Sequence, residues 1–440
     1  MVGRVVTVAI ALIAIAFLGY VFGAFSLYRE IPPATTIRDA YEAAKALEFR
    51  EKRLADPLPS ELWQPARTDA RGVTIHDPSR AQAGLTLYSS GHDQKVLLVN
   101  MAGEVVHEWQ LWFSKVWDET AVASIELPDT HMYVRRAQMF PNGDLLALYI
   151  GSGNTPWGYG LVKMDKDSNL IWKYLEQVHH DLDVTADGKI YTLTHAFTDH
   201  VFEFQRHLKV PRVDDFLVVL SPEGEELERH AIVDAFVHSP YARMTNMIPW
   251  YSQSDYFHTN AVDVIEAMEA RALPFAKEGD VLLSFREMGA IALFDPKQET
   301  FTWALRGPWV GQHDPDILPN GRMLIFDNNG RYVDKNFSRV IEFDPEPLAI
   351  RWVYQGDDEH RFYSVLRSAE QRLENGNTLI TESDGGRIFE VTRSGDIVWE
   401  YLNPVRAGEN DELIPVVSWA QRIDPATLDP AFCPPDTCQP

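Results

Sequence analysis

Four short motifs in this chain carry side chains suited to group-transfer chemistry. They are HHDL around His180, HTNAVD from His258, QHDPDILPNG around His313 and SFREMG around Arg286. A neutral imidazole is a nucleophile near pH 7 and can carry a phosphoryl- or sulfuryl-type group. A guanidinium can stabilise the charged oxygens of such a group. Three imidazoles could instead hold zinc or copper, but Arg286 in the same place would oppose a cation. For any one of these histidines, a hydrogen-bonded packing role weighs as much as a functional one. His195, His200, His207, His230 and His238 fall in loops or other strand positions and are assigned that packing role.

The elements that would position these residues are repeats. A turn and strand ending in Trp recurs in MAGEVVHEW, DSNLIW, KQETFTW, EPLAIRW and RSGDIVW, and SPEGEELERH is a sixth copy without the Trp. A second phrase precedes it: a strand, an Asn-Gly or Asp-Gly turn, and an apolar strand. It appears in RRAQMFPNGDLLALY, HHDLDVTADGKIYTL, QHDPDILPNGRMLIF and SAEQRLENGNTLIT, with an interrupted copy from His258 to Val281. Together they make a four-stranded antiparallel blade, so the expected fold is an all-β, six-bladed β-propeller over residues 81–426. The missing first strand of the first blade is found in SWAQRI, Ser418 to Ile423, which would close the ring and remove its open edges.

First strands line the central channel of a propeller. Aligning them on their Gln/Asp position gives one channel-facing residue per blade: Arg135, His180, His258, His313, Ser368 and Ser418. In the His258 copy the aligning Asp263 falls two residues late. Three histidines at one repeat position, in a chain with 14 His among 440 residues, favour a site over packing. Asn260 and Ser368 are expected to bind substrate together with Arg135. The segments 201–257 and 266–280 are expected near the channel mouth.

Residues Val5 to Tyr28 carry no charge and are long enough to cross a ~30 Å hydrocarbon layer. The run lacks an obvious small-x-small cleavage site, so residues 1–30 are expected to be a single-pass signal-anchor. Arg4 and the terminal amine favour a cytoplasmic N-terminus, which would place the propeller on the periplasmic side of the inner membrane. Residues 31–80 are expected to be a helical stalk and linker, with Thr36 as a helix cap. The tail, residues 427–440, holds the only two cysteines, Cys433 and Cys438, expected as a small disulfide. The formal charge of −24 argues against nucleic acid and requires a locally positive pocket for any anionic substrate. The acidic run Asp357-Asp358-Glu359 is expected to be a solvated loop rather than a calcium site.

The motifs HHDL, HTNAVD, SFRE and QHDPDILPNG…IFDN, with GNTLITES…GRIFEV and the final Trp-Glu-Tyr, resemble the bacterial arylsulfotransferases over most of residues 84–424. That resemblance implies a six-bladed propeller in which His313 is the nucleophile that becomes sulfated, with His180, His258 and Arg286 around the sulfuryl group. It implies aryl sulfates and phenols as substrates. Better-known members carry an N-terminal β-rich domain, whereas this chain has the anchor and stalk. Asp314 or a backbone carbonyl could fix the His313 tautomer, and either His180 or His258 could protonate the leaving oxygen. No P-loop or dinucleotide fingerprint is present, so no nucleotide sulfate donor or other cofactor is expected. Two alternatives stand: a non-catalytic propeller docking in a membrane complex, and a metal-binding histidine ring.

Overall fold

The structure is a computed structural model. It describes all residues except 1, 124, 155–156, 250–251, 253, 329–336, 358–359, 435–437 and 439–440, and of residues 2 and 42 only the backbone. Two of the three acidic residues at 357–359 lie outside the described residues. The chain divides into two compact units, Met1–Pro57 and Leu58–Pro440.

The first unit is two helices, Val2–Tyr28 and Ala34–Leu54. Residues Gly3–Tyr28 have a mean hydropathy of 2.7, long and apolar enough to cross a membrane. The second helix begins at Ala34 after Pro33, so Thr36 sits inside the first turn and caps nothing. Proline has no N–H to lose at a helix start, which lets the helix open earlier than the Thr.

The second unit is the six-bladed propeller. Its innermost strands are Met132–Met139, Val178–Val184, Thr259–Val264, His313–Ile317, Ala369–Arg372 and Val417–Ile423. Each heads an antiparallel sheet of four sequential strands, apart from the two that involve the chain ends. The C-terminal strand Val417–Ile423 pairs with Leu85–Ser90, so the last strand completes the first blade as the repeats require. The last blade gains a fifth, outer strand, Gly72–His76, which pairs with Ile397–Leu402. Trp63–Pro65 pairs with Leu413–Pro415. Residues 58–80, given to the linker by composition, therefore belong to the propeller unit.

The repeated residues explain the closure. Each repeat Trp donates its indole N–H to the neighbouring blade: Trp109 to Gly143 O at 2.9 Å, Trp172 to Pro222 O at 3.1 Å, and Trp303 to Glu346 Oε1 at 2.8 Å. Trp352 reaches Arg393 O at 2.9 Å, and Trp399 reaches Met101 O at 3.0 Å across the seam between last and first blades. Each contributes about 1 kcal/mol beyond the apolar area that it covers. The Gln/Asp position also bonds sideways. Gln371 Oε1 accepts the Arg422 N–H at 2.7 Å and Asp183 the Val264 N–H at 2.9 Å, and Asp181, two residues before that position, accepts the Val262 N–H at 3.0 Å. These polar side chains satisfy backbone donors that a twisted ring leaves open between adjacent innermost strands.

Loops at the start of the innermost strands build one face of the ring. The described residues of segments 199–211 and 232–257 lie there, packed through Phe202, Leu208, Phe236 and Phe257. The inserted segment 266–280 does not. It follows the end of Thr259–Val264, so its short helix Ala267–Ala272 packs at the opposite face, where Ala272 meets the Gly321 turn of the next blade. Cys433 and Cys438 form a disulfide.

Candidate active site

Five innermost strands break register at their first residues: between Val134 and Arg136, His179 and Leu182, Thr259 and Ala261, His313 and Asp316, and Val417 and Trp419. A bulge re-aims side chains out of the ladder and ends pairing. His180 (φ 61°), His258 (φ 50°), Asp314 (φ 50°) and Ser368 (φ 77°) adopt left-handed backbone, which costs a non-glycine residue about 1–2 kcal/mol each. Strain repeated at one level of several blades marks a place where the backbone is bent to present side chains.

In the His258 blade, Asp183 bonds the strand at Val264 and the bulge falls at Asn260, so Asn260 is the register equivalent of His180. His258 reaches the cluster from two residues upstream, the offset that its Asp263 carries in the sequence. Its Nδ1 meets the Asp255 carboxylate, and its Nε2 accepts from Arg286 Nη1 at 2.7 Å. The other face of Arg286 is fixed by Glu287 Oε1, at 3.0 Å from Nε and 2.7 Å from Nη2. The rings of His180 and His258 lie 4.8 Å apart, and Trp157 packs against both at 5.9 and 5.0 Å.

His313 Nδ1 has two oxygen partners, Gly311 O at 3.0 Å and Asn328 Oδ1 at 2.8 Å. Asn328 is oriented by donating to Ser364 O and Arg367 O at 3.0 and 3.2 Å, so its oxygen faces the imidazole. Two acceptors on Nδ1 place the proton there and leave the Nε2 lone pair free. A backbone carbonyl and Asn328 thus set the tautomer. Asp314 does not: its left-handed backbone turns it away, to the Glu370 N–H at 3.3 Å. Asn260 Nδ2 donates to Gln312 O at 2.7 Å, which clamps the peptide bond before His313.

Arg135 is 5% exposed, donates through Nη1 to Ser418 O at 3.0 Å, and forms no ion pair among the described residues. Burial pulls its guanidinium down to about 10, which still leaves it charged at neutral pH. Burial, then the Arg135 and Arg286 charges, hold the His313 imidazole well below its ordinary value. His180 is held low by burial, then by His258, His179 and Arg135, and His258 by burial, then by Arg286. Ser418 returns its hydroxyl to Arg135 O at 3.0 Å, and the Ser368 hydroxyl accepts the Ser383 N–H at 3.2 Å. These two serines are turned to backbone, while the histidines and arginines face one another.

Motif reading gave no role to two buried neighbours, His179 and Asp215, and assigned a third, His195, to packing. His195 stacks on His179 at 4.3 Å, and the ligand atoms of His179, His195 and Asp215 lie within 4.8 Å of one another. Among the described residues this is the group with metal-like spacing, rather than His180, His258 and His313. However, His195 Nε2 accepts the Gly158 N–H at 3.1 Å, so that lone pair is already engaged and the ring proton sits on Nδ1. The signals available in sequence were the doubled His of HHDL and the doubled Asp of VDD.

The channel mouth of this propeller thus gathers buried guanidiniums and imidazoles whose positive charge is disfavoured. The chain is a member of the arylsulfotransferase (ASST) family, whose profile matches residues 136–404. No curated protein matches it. Similar solved structures include a protein of unknown function from Bacteroides caccae, 12% identical, covering 77% of this chain and 98% of that one, with a TM-score of 0.49. A streptogramin B lyase is 8% identical over 82% of this chain and 97% of that one, with a TM-score of 0.40.

Proposed function

We propose that the protein transfers a sulfuryl group from an aryl sulfate to a hydroxyl acceptor through a sulfated His313. The observation that carries this is Arg135, a buried guanidinium with no ion pair among the described residues, whose charge acts on an imidazole with its Nδ1 proton fixed by Gly311 and Asn328. A buried cation of this kind calls for an anion, and a neutral imidazole beside it is the nucleophile.

In the first half-reaction the His313 Nε2 lone pair attacks sulfur, and the S–O bond breaks with its electrons going to the aryl oxygen. Arg135 and Arg286 meet the sulfuryl oxygens. His258 has no proton to give, since Nδ1 faces Asp255 and Nε2 accepts from Arg286. The general acid is then His180. The acceptor hydroxyl attacks sulfo-His313 in the second half-reaction and restores the imidazole. Residues 5–28 would anchor the protein in the cytoplasmic membrane, with the propeller on the periplasmic side. A chromogenic aryl sulfate assay comparing the native protein with His313→Ala tests the reading. Loss of turnover in a folded variant is expected; equal inactivity of both would favour a docking role in a membrane complex.

A further inference from the structure

Sulfuryl transfer through His313, on which the present inference rests, leaves one need unmet. His180 sits among Arg135, His258 and His313, so a positive charge on its own ring is disfavoured, yet the leaving oxygen must receive a proton. His180 can deliver its Nε2 proton as a neutral ring only if its Nδ1 is reprotonated at the same time. His180 Nδ1 lies 2.7 Å from His179 Nδ1. Two ring nitrogens at that distance hold one proton between them. On its other side, His179 Nε2 lies 3.4 Å from Asp215 Oδ1.

The surroundings of Asp215 define its state. Its Oδ2 accepts the Thr259 N–H at 2.8 Å and the Thr259 hydroxyl at 2.6 Å. His195 Nε2 accepts the Gly158 N–H, and one ring nitrogen of His195 belongs to the same group of atoms within 4.8 Å. Asp215 therefore holds two hydrogen bonds from Thr259 and keeps His179 Nε2 as its ion-pair neighbour. It is 2% exposed and His179 is 1% exposed, so neither exchanges protons freely with water. The Asp255 carboxylate and the His258 ring are also close enough for His179 to act on them electrostatically. Trp157 lies edge-on against His179 and His195 at 6.5 and 5.0 Å, which holds the stack in place.

We propose that His179, backed by Asp215, is a positioning residue that relays a proton to and from His180. The resting relay is an imidazolium at His179, with Nε2–H toward Asp215 and Nδ1–H toward His180, beside a neutral His180 protonated on Nε2. As the aryl oxygen leaves with the S–O electron pair, His180 Nε2–H passes to it and His179 Nδ1–H passes to His180 Nδ1. His179 is then neutral, with its proton on Nε2. In the second half-reaction the acceptor hydroxyl gives its proton to His180 Nε2, and the Nδ1 proton returns to His179. The cycle balances with no net proton exchanged with solvent, which suits a chain this deeply buried.

The test is the dependence of rate on the leaving group. His179→Asn keeps a donor near the Nδ1 position but cannot relay, so His180 stays oriented. Native protein and variant are compared on 4-nitrophenyl sulfate, which needs little protonic help, and on phenyl sulfate, which needs much. General acid catalysis is worth about 10²–10⁴-fold, so the loss on phenyl sulfate should exceed that on 4-nitrophenyl sulfate by about 30-fold or more. Asp215→Asn should show the same asymmetry, and it carries the test where His179→Asn does not fold. Equal losses on the two donors would overturn the relay and leave a packing role. An active His313→Ala protein would instead defeat the sulfo-histidine route itself, and the two failures are separately visible.

Discussion

Replacing Arg135 by Met should move stability and activity in opposite directions. Methionine has similar length and an apolar tip, so the substitution mainly deletes a buried charge. An uncompensated buried ion costs several kcal/mol. Losing the Nη1 bond to Ser418 O gives back about 1–2 kcal/mol of that, leaving a net gain of about 2 kcal/mol in the ligand-free protein. For the unit Leu58–Pro440, an unfolding entropy of about 2.1 cal/mol/K per residue converts this to a rise of roughly 2–3 °C in Tm. Sulfate at about 100 times its Kd should stabilise the native protein by about 2.7 kcal/mol, and the variant hardly at all. Charge-assisted bonds to the sulfuryl oxygens are worth about 1.5–3 kcal/mol, so kcat/KM should fall about 10–100-fold. Thermal scans with and without sulfate, beside aryl sulfate kinetics, read all three. A variant less stable than the native protein, with an unchanged sulfate shift, would refute the claim that Arg135 is a cation awaiting an anion.

Glu370 is buried with both carboxyl oxygens unpartnered, and burial, then Asp314 and Asp316, raise it well above its ordinary value. A carboxyl raised on folding adds stability that is full below its unfolded pKa and is lost as pH rises. Glu370→Gln should therefore leave stability at pH 4 unchanged and raise it at pH 8 by about 2 kcal/mol or more, measured by urea denaturation at both pH values. Removing residues 1–57 should leave a folded propeller with native turnover and abolish sedimentation with membranes, because the two units are separately compact. Loss of folding in that truncation would show that the helices complete the propeller.

The ring was legible because its period is written in residues with one job each. The Trp of MAGEVVHEW or RSGDIVW must reach the next blade, the Asn-Gly turns must admit positive φ, and SWAQRI has no partner unless the ring closes. The site was legible as residue types at a repeat position, but the partners that tune them were not. Asp255 and Asn328 act across loops on His258 and His313, through side-chain bonds that depend on a left-handed turn and a bulge. Asp314 looked equally able to orient His313, and only the local backbone decides against it. His179 was passed over because alternation along a strand sends neighbours to opposite faces, whereas the bulge after His179 brings it against His180, and His195, assigned to packing, stacks on it from the next strand. The placement of 266–280 could have been inferred from chain direction, since it follows the end of an innermost strand rather than its start.

The central claim is a covalent group on one imidazole nitrogen. Purified protein incubated with 4-nitrophenyl sulfate and no acceptor, quenched in alkali and digested, should yield the His313 peptide heavier by one SO₃ group. Release of one equivalent of nitrophenol should accompany the adduct, and adding a phenol should remove it. Steady turnover with an unmodified His313 peptide, or an adduct on another residue, would contradict the account.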